Sequence, residues 1–169
     1  FCSEPRISPK KAGLTFELAI YMLPLADYVS SEGGLNLMSS TYRKYNDSAI
    51  PTKAKAGGSY INSFLATSDA QRNGYDDALM FDDAGNVVEV SVANIILVYR
   101  GQIIIPDTGN AALEGITVRS ALELLEYNGY KINRGKIDRS MVFTADELLV
   151  TGTAMKITYA ESLDKRPIG

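Results

Sequence analysis

Apolar and polar positions along this chain switch between a two-residue and a helical period, and the switches predict its elements. Leu14 to Pro24 is largely apolar with partial alternation through Thr15, Glu17, Ala19 and Tyr21, which predicts a strand. Glu32-Gly33-Gly34 is a turn, and Leu35 to Arg43 is a second strand whose Thr41 and Tyr42 suit a half-buried surface. From Ser59 to Asn73 the period is helical. Ile61, Phe64 and Leu65 form an apolar stripe at i, i+3 and i+4, with Ser63 and Thr67 on the other side. Ser59 stands at the N-cap position and Gly74 where such a helix stops.

Beyond Gly74 the pattern predicts a hairpin, with Ala78 to Phe81 and Val87 to Val90 joined by Asp83-Ala84-Gly85-Asn86. Asn94 to Tyr99 and Gln102 to Ile105 form another about Arg100-Gly101, and Pro106 to Asn110 is a loop. A second helix is expected from about Thr117 to Asn128. Val118, Ala121, Leu122 and Leu125 lie on its apolar face, and Gly129 closes it. Lys131 to Ile137 is a strand, Ser140 to Glu147 a short helix, Leu148 to Thr151 and Ile157 to Leu163 the last strands before a polar tail. Strands, helices and hairpins are mixed without a repeat, so the fold class is α+β rather than a regular βαβ parallel sheet.

Composition narrows the chemistry. At 169 residues the chain is one domain, and 46% hydrophobic with 22% charged residues is ordinary for a globular chain with a core. The formal charge is −3 and the basic residues are scattered, which argues against a nucleic-acid or anionic-membrane surface. One cysteine, Cys2, rules out an internal disulfide and makes a cytoplasmic setting the expectation. No apolar run is long enough to span a bilayer, and no signal peptide is visible. There is no histidine, which excludes Ser-His-Asp and Cys-His catalysis and the usual zinc sites. An enzymatic base must then be Lys, Asp, Glu or Tyr.

Four stretches can carry such chemistry. Lys55 lies among small residues in Pro51-Thr-Lys-Ala-Lys-Ala-Gly-Gly-Ser-Tyr60, leaving room for a group bonded to its amine, and Gly57 and Gly58 allow backbone to approach it or turn sharply. The same stretch also fits a solvated charge ahead of a helix. Glu89 interrupts the apolar run Val87 to Val92. It either points outward or is a buried carboxylate needing a positive partner. Gly115-Ile116-Thr117 opens a helix, where unpaired N–H groups suit a phosphate, although Thr117 also fits an ordinary N-cap. Thr151-Gly152-Thr153-Ala154 is a small-residue bend whose amides can form an anion-binding concavity or a plain turn.

Taken together, Lys55 to Tyr60, Glu89 with Asn94, Leu113 to Thr117 and Thr151 to Ala154 resemble, in order and spacing, the class IV aminotransferases, the fold-type IV pyridoxal phosphate enzymes, and among them the branched-chain amino acid aminotransferases. The resemblance covers nearly all of the chain from Leu14 onward. It implies the D-amino acid aminotransferase-like large domain, a mixed-sheet, barrel-like fold, over residues 14–169. Residues 1–13 would then be a lead-in from a smaller N-terminal domain that this chain lacks. By the same resemblance Lys55 forms the Schiff-base link to pyridoxal 5'-phosphate and acts as base and acid. Glu89 bonds the pyridine nitrogen and Tyr60 the phenolic oxygen, with Asn94 also on the cofactor. Gly115, Ile116, Thr117 and Thr153 hold the phosphate, and Gly152, Thr153 and Ala154 bind the substrate carboxylate. A phosphate-binding arginine comes from the smaller domain.

The activity implied is ping-pong transfer of the amino group of branched-chain L-amino acids (Leu, Ile, Val) to 2-oxoglutarate, with small-molecule amino acids and 2-oxo acids as partners and a homodimer or higher homo-oligomer as the assembly. Val90 stands where the family commonly has glycine, and Val118 precedes Arg119 where it often has arginine directly; both bear on substrate preference. Two alternatives stand beside this reading. One is another fold-type IV enzyme, a D-amino acid or amine transaminase or an aminodeoxychorismate lyase. The other is a cofactor-binding fragment without turnover. A nucleotide-binding loop at Gly57-Gly58 is the poorest fit, since the Gly-x-x-x-x-Gly-Lys spacing is missing.

Overall fold

The computed structural model describes residues 13, 15–24, 33–107, 109 and 111–169. Residues 1–12 of the lead-in expected over 1–13, and Leu14, Glu32, Thr108 and Asn110 of the expected strand, turn and loop, lie outside them. Among the described residues the chain forms β1 (Leu35–Arg43), a 3-10 turn (Gly57–Ser59), α1 (Tyr60–Arg72), β2 (Asp77–Phe81), β3 (Val87–Val90), β4 (Asn94–Tyr99) and β5 (Gln102–Pro106). There follow α2 (Ile116–Tyr127), β6 (Ile132–Gly135), α3 (Arg139–Phe143), β7 (Glu147–Gly152), β8 (Lys156–Leu163) and β9 (Arg166–Pro167).

The strands make one mixed sheet in the order β3-β2-β1-β8-β7-β4-β5-β6, with β9 added to β8. Its antiparallel pairs include the two expected hairpins, β2/β3 and β4/β5, together with β7/β8, β4/β7 and β8/β9. Two of its parallel pairs, β1/β2 and β5/β6, are joined by connections that carry α1 and α2, and a third, β1/β8, pairs strands far apart in the chain. A tight turn can only reverse a strand, whereas a parallel neighbour needs a crossover, so the mixture follows from where the helical periods fall. In the β4/β7 ladder Asn94 lies opposite Thr151, which brings the start of one strand beside the end of the other. The main core runs through Leu37, Leu79, Ile95, Leu97, Leu148 and Leu163, all essentially inaccessible. Burying each such side chain stabilises by about 1.5–3 kcal/mol.

α2 docks as its pattern predicts: Ala121 is buried against Ile96, Ile103 and Ile105, with Val118, Leu122 and Leu125 packed around them. α1 does the opposite. Its buried residues are Ser63, Ala66 and Ala70, the two alanines meeting Ala78 and Met80 and the Ser63 hydroxyl donating to Ser91 O, while Ile61 and Phe64 are 65% and 61% exposed. Small side chains let the helix lie close on β1 and β2, and the apolar stripe expected to face the core points away.

Other expectations are corrected. Residues 15–24 form no strand; among them only Phe16 makes a bridge, and Leu18, Ile20 and Met22 are exposed. Alternation specifies a face, not a neighbour to pair with. α3 ends at Phe143 rather than Glu147, which already belongs to β7, and Asp138 caps it by accepting from Met141 N at 2.9 Å. The expected polar tail returns as β9 through Asp164 and Lys165, both at positive φ.

Candidate active site

The lysine stretch is shaped by its own small residues. Ser59 N and Oγ both donate to Ala56 O, at 3.1 and 2.8 Å, closing the turn that feeds α1. The Ser59 hydroxyl therefore points back and does not cap the helix. Gly57 and Gly58 do not have positive φ, and a β-carbon on either would meet nothing within 4 Å, so a sharp bend is not what requires them. Lys55 is exposed to the pocket in front of the turn, its Nζ 5.6 Å from the centroid of the Tyr60 ring.

Glu89 is buried, at 4% exposure, which overturns the outward-facing reading. All four residues of β3 are buried, so alternation gives neither set of side chains to solvent. The Glu89 oxygens have separate partners. Lys44 Nζ stands 2.6 Å from Oε1, and Asn94 Nδ2 donates to Oε2 at 3.1 Å and to Leu113 O at 2.9 Å. Burial pushes the Glu89 carboxyl above its ordinary range, and the charge and hydrogen bond of Lys44, then Leu113 and the more distant Lys55 charge, pull it back.

Asn94 also fixes the approach of α2. A β-carbon on Gly115 would overlap Asn94 Oδ1, so only glycine lets the helix start this close. Gly115 is the N-cap and has no side chain to offer, leaving the first N–H groups of α2 uncapped from within; Thr117 is the second helical residue, not the cap. Exposed Lys53 meets Glu114 Oε1 at 3.0 Å and Ala112 O at 3.4 Å, tying this loop to the lysine stretch. Across the pocket, the Thr151 side chain is buried with its Oγ1 unpartnered, and a β-carbon on Gly152 would come 3.1 Å from Ala93 Cβ.

These walls enclose about 280 Å³. Lys55, Tyr60, Glu89, Asn94, Gly115, Ile116, Thr117, Gly152 and Thr153 all line it, whereas Ala154 is exposed in the following turn and does not. Lys44, Tyr45 and Ser91 line it as well without having been singled out in the sequence, and so does Thr151, named there only as part of its bend. Of these only Lys44 had a usable signal: a buried Glu89 demands a cation, though not a particular one.

A phosphorylated, ring-nitrogen-bearing aldehyde fits what is present. The amine of Lys55 suits the aldehyde, the Glu89 carboxylate a ring N–H, and the uncapped α2 amides with the unpartnered Thr151 hydroxyl a phosphate.

A mixed α+β sheet with this pocket defines a fold-type IV domain. The family model described as "Amino-transferase class IV" matches residues 5–163, and the chain belongs to that family. It is 35% identical over 165 residues to a probable branched-chain-amino-acid aminotransferase of Aquifex aeolicus, covering 97% of this chain and 53% of the relative. The crystal structure of a branched-chain aminotransferase from Thermoproteus uzoniensis with norvaline superposes with a TM-score of 0.95 at 34% identity, over 100% of this chain and 57% of that one. The branched-chain amino acid aminotransferase from Thermobaculum terrenum, in its PLP-form, gives 0.78 at 32%, over 82% and 45%. The chain thus spans about half the length of the curated relatives it matches.

Proposed function

We propose that the protein carrying this chain is a branched-chain amino acid aminotransferase, moving the amino group of Leu, Ile or Val to 2-oxoglutarate with pyridoxal 5'-phosphate, and that residues 14–169 are its cofactor-binding large domain. The observation that carries this reading is the pairing, in one pocket, of an exposed lysine amine with a carboxylate buried against Lys44 and Asn94. Bound pyridoxal phosphate supplies an electron sink for the negative charge left at the substrate α-carbon. Lys55 holds the cofactor covalently and moves the proton at that carbon. Glu89 accepts the ring N–H, Tyr60 bonds the phenolic oxygen, and Asn94 steadies Glu89. Gly115, Ile116, Thr117 and Thr153 take the phosphate and Gly152 and Thr153 the substrate carboxylate, with Ala154, outside the lining, following them in the turn.

The relatives' names support the branched-chain assignment. No arginine lines the pocket among the described residues, which supports a second element of the full-length protein completing the phosphate site. For the same reason the isolated chain is expected to bind cofactor weakly or without turnover.

Borohydride trapping tests the reading. The full-length protein is mixed with pyridoxal phosphate, reduced, digested and analysed by mass spectrometry. Label on the Lys55 peptide is expected, with Lys55→Ala unlabelled yet folded by circular dichroism. Label on another lysine, or an unaltered visible band in Lys55→Ala, defeats the assignment. Profiling amino donors on the same preparation separates branched-chain L-amino acids from D-amino acids and amines.

A further inference from the structure

Lys44 is the cation nearest the proposed ring-nitrogen carboxylate, and nothing in the proposed chemistry uses it. It follows directly on the end of β1, where its backbone N donates to Phe81 O at 2.8 Å and so anchors the strand end to β2. Its side chain is 6% exposed, and the ammonium lies 5.3 Å from the Tyr45 ring centroid and 2.6 Å from Glu89 Oε1. A lysine is rarely buried this far unless something requires its charge.

The geometry divides Glu89. One oxygen takes Lys44 and the other takes Asn94, itself tied to Leu113 O, so the carboxylate plane is held from two sides. A carboxylate has about four acceptor positions, so two donors leave room for a third. The titratable groups facing it from the pocket walls are Lys44, Lys55, Tyr45, Tyr60 and the exposed Glu114. Of these, Lys44 alone is in contact and buried with it. Burial by itself drives Glu89 toward its neutral form, which would turn an acceptor into a donor and set it against a ring N–H.

We propose that Lys44 is a positioning residue for the ring-nitrogen contact, holding Glu89 ionised and turned into the pocket before the cofactor arrives. The proposal rests on the pyridoxal phosphate reading. It adds that the carboxylate is preset by the protein's own cation rather than ionised by the arriving ring. Because Lys44 already holds Oε1, it also limits how strongly Glu89 draws a proton onto the ring nitrogen.

The test uses the cofactor-free full-length protein with 13C-labelled glutamate side chains, the Glu89 carboxyl resonance being identified by its loss in Glu89→Gln. In the unmutated protein it is expected at the ionised position near neutral pH. In Lys44→Met it moves to the neutral position, and in Lys44→Arg it returns. In parallel the cofactor dissociation constant rises about tenfold in Lys44→Met and recovers in Lys44→Arg, a difference of about 1.4 kcal/mol. An ionised Glu89 in Lys44→Met, or a Lys44→Arg protein as impaired as Lys44→Met, overturns the proposal. If Lys44→Met does not fold, a neutral Glu89 in the unmutated protein or in Lys44→Arg overturns it equally. Absence of trapped cofactor on Lys55 would instead defeat the functional reading, and the ring contact with it, while leaving the carboxyl resonance as measured.

Discussion

A second buried acid, Asp77, has a pH signature of its own. It is 3% exposed at the start of β2; Oδ1 accepts from Ala78 N at 2.7 Å and Thr67 Oγ1 at 3.2 Å, and Oδ2 has no partner. Burial raises its carboxyl above the ordinary value, against the neighbouring Ser91 side chain and the hydrogen bonds from Ala78 and Thr67, and with the help of nearby Asp76. A raised folded value means the folded state prefers the proton, so this contribution to stability is complete below the ordinary aspartate value and is lost as pH rises through the folded one. Asp77→Asn keeps an acceptor for Ala78 and removes the ionisation. Its denaturation midpoint is expected to lack the part of the wild-type decline that sets in above about pH 4, where an unperturbed aspartate titrates. Parallel curves would mean that Asp77 does not titrate on folding. At this scale the sequence was partly legible. Glu89 stood out because an acid interrupts an apolar run, whereas Lys44 and Asp77 sit at strand ends, where charged residues are ordinarily solvated.

Among the elements, the start of α2 carries the strongest steric constraint in the site. Gly115 faces Asn94 Oδ1 so closely that a β-carbon cannot be added without moving one of them. Asn94 is in turn held by Glu89 and Leu113. Gly115→Ala is therefore expected to cost about 1–3 kcal/mol of stability, as overpacking does, and to weaken cofactor binding together with it. Adding Asn94→Ala should return part of the stability but not the binding, since the Glu89 contact is then gone. Chemical denaturation of the two variants checks this, and additive losses would show that the two residues do not meet. The helix, its apolar face and its closing Gly129 were legible from periodicity because α2 packs large residues into a core. α1 was not, because its docking depends on Ser63, Ala66 and Ala70, and small residues carry no hydrophobic signal. The β9 return was hidden because Asp164 and Lys165 adopt positive φ without glycine or asparagine to announce it.

The whole molecule leaves apolar surface without a covering layer. Phe16, Leu18, Ile20 and Met22 are alternate residues of one segment, with Leu18 and Met22 at 86% and 94% exposure, and α1 adds Ile61, Phe64 and Leu65. Water disfavours that arrangement, and exposed apolar groups on this scale mark a surface that another chain or domain covers. Two observations bear on what covers it. The chain spans about half the length of the relatives it matches, so any further sequence of the whole protein is one candidate; and the face of α1 is open along its length, which suits a second copy meeting the same face. We expect the full-length protein to sediment as a homodimer, and the 169-residue chain alone to self-associate in a concentration-dependent way. Phe64→Asp with Leu65→Asp separates the contributions, because these side chains are exposed and their replacement does not disturb the Ala66 and Ala70 contacts beneath. If α1 is the dimer face, the double variant becomes monomeric while its melting temperature as a monomer is little changed. If it stays dimeric, the face belongs to further sequence of the same protein. A full-length protein that is monomeric at micromolar concentration would show that its own further sequence covers both surfaces, and the pocket would then have to be completed from within one subunit.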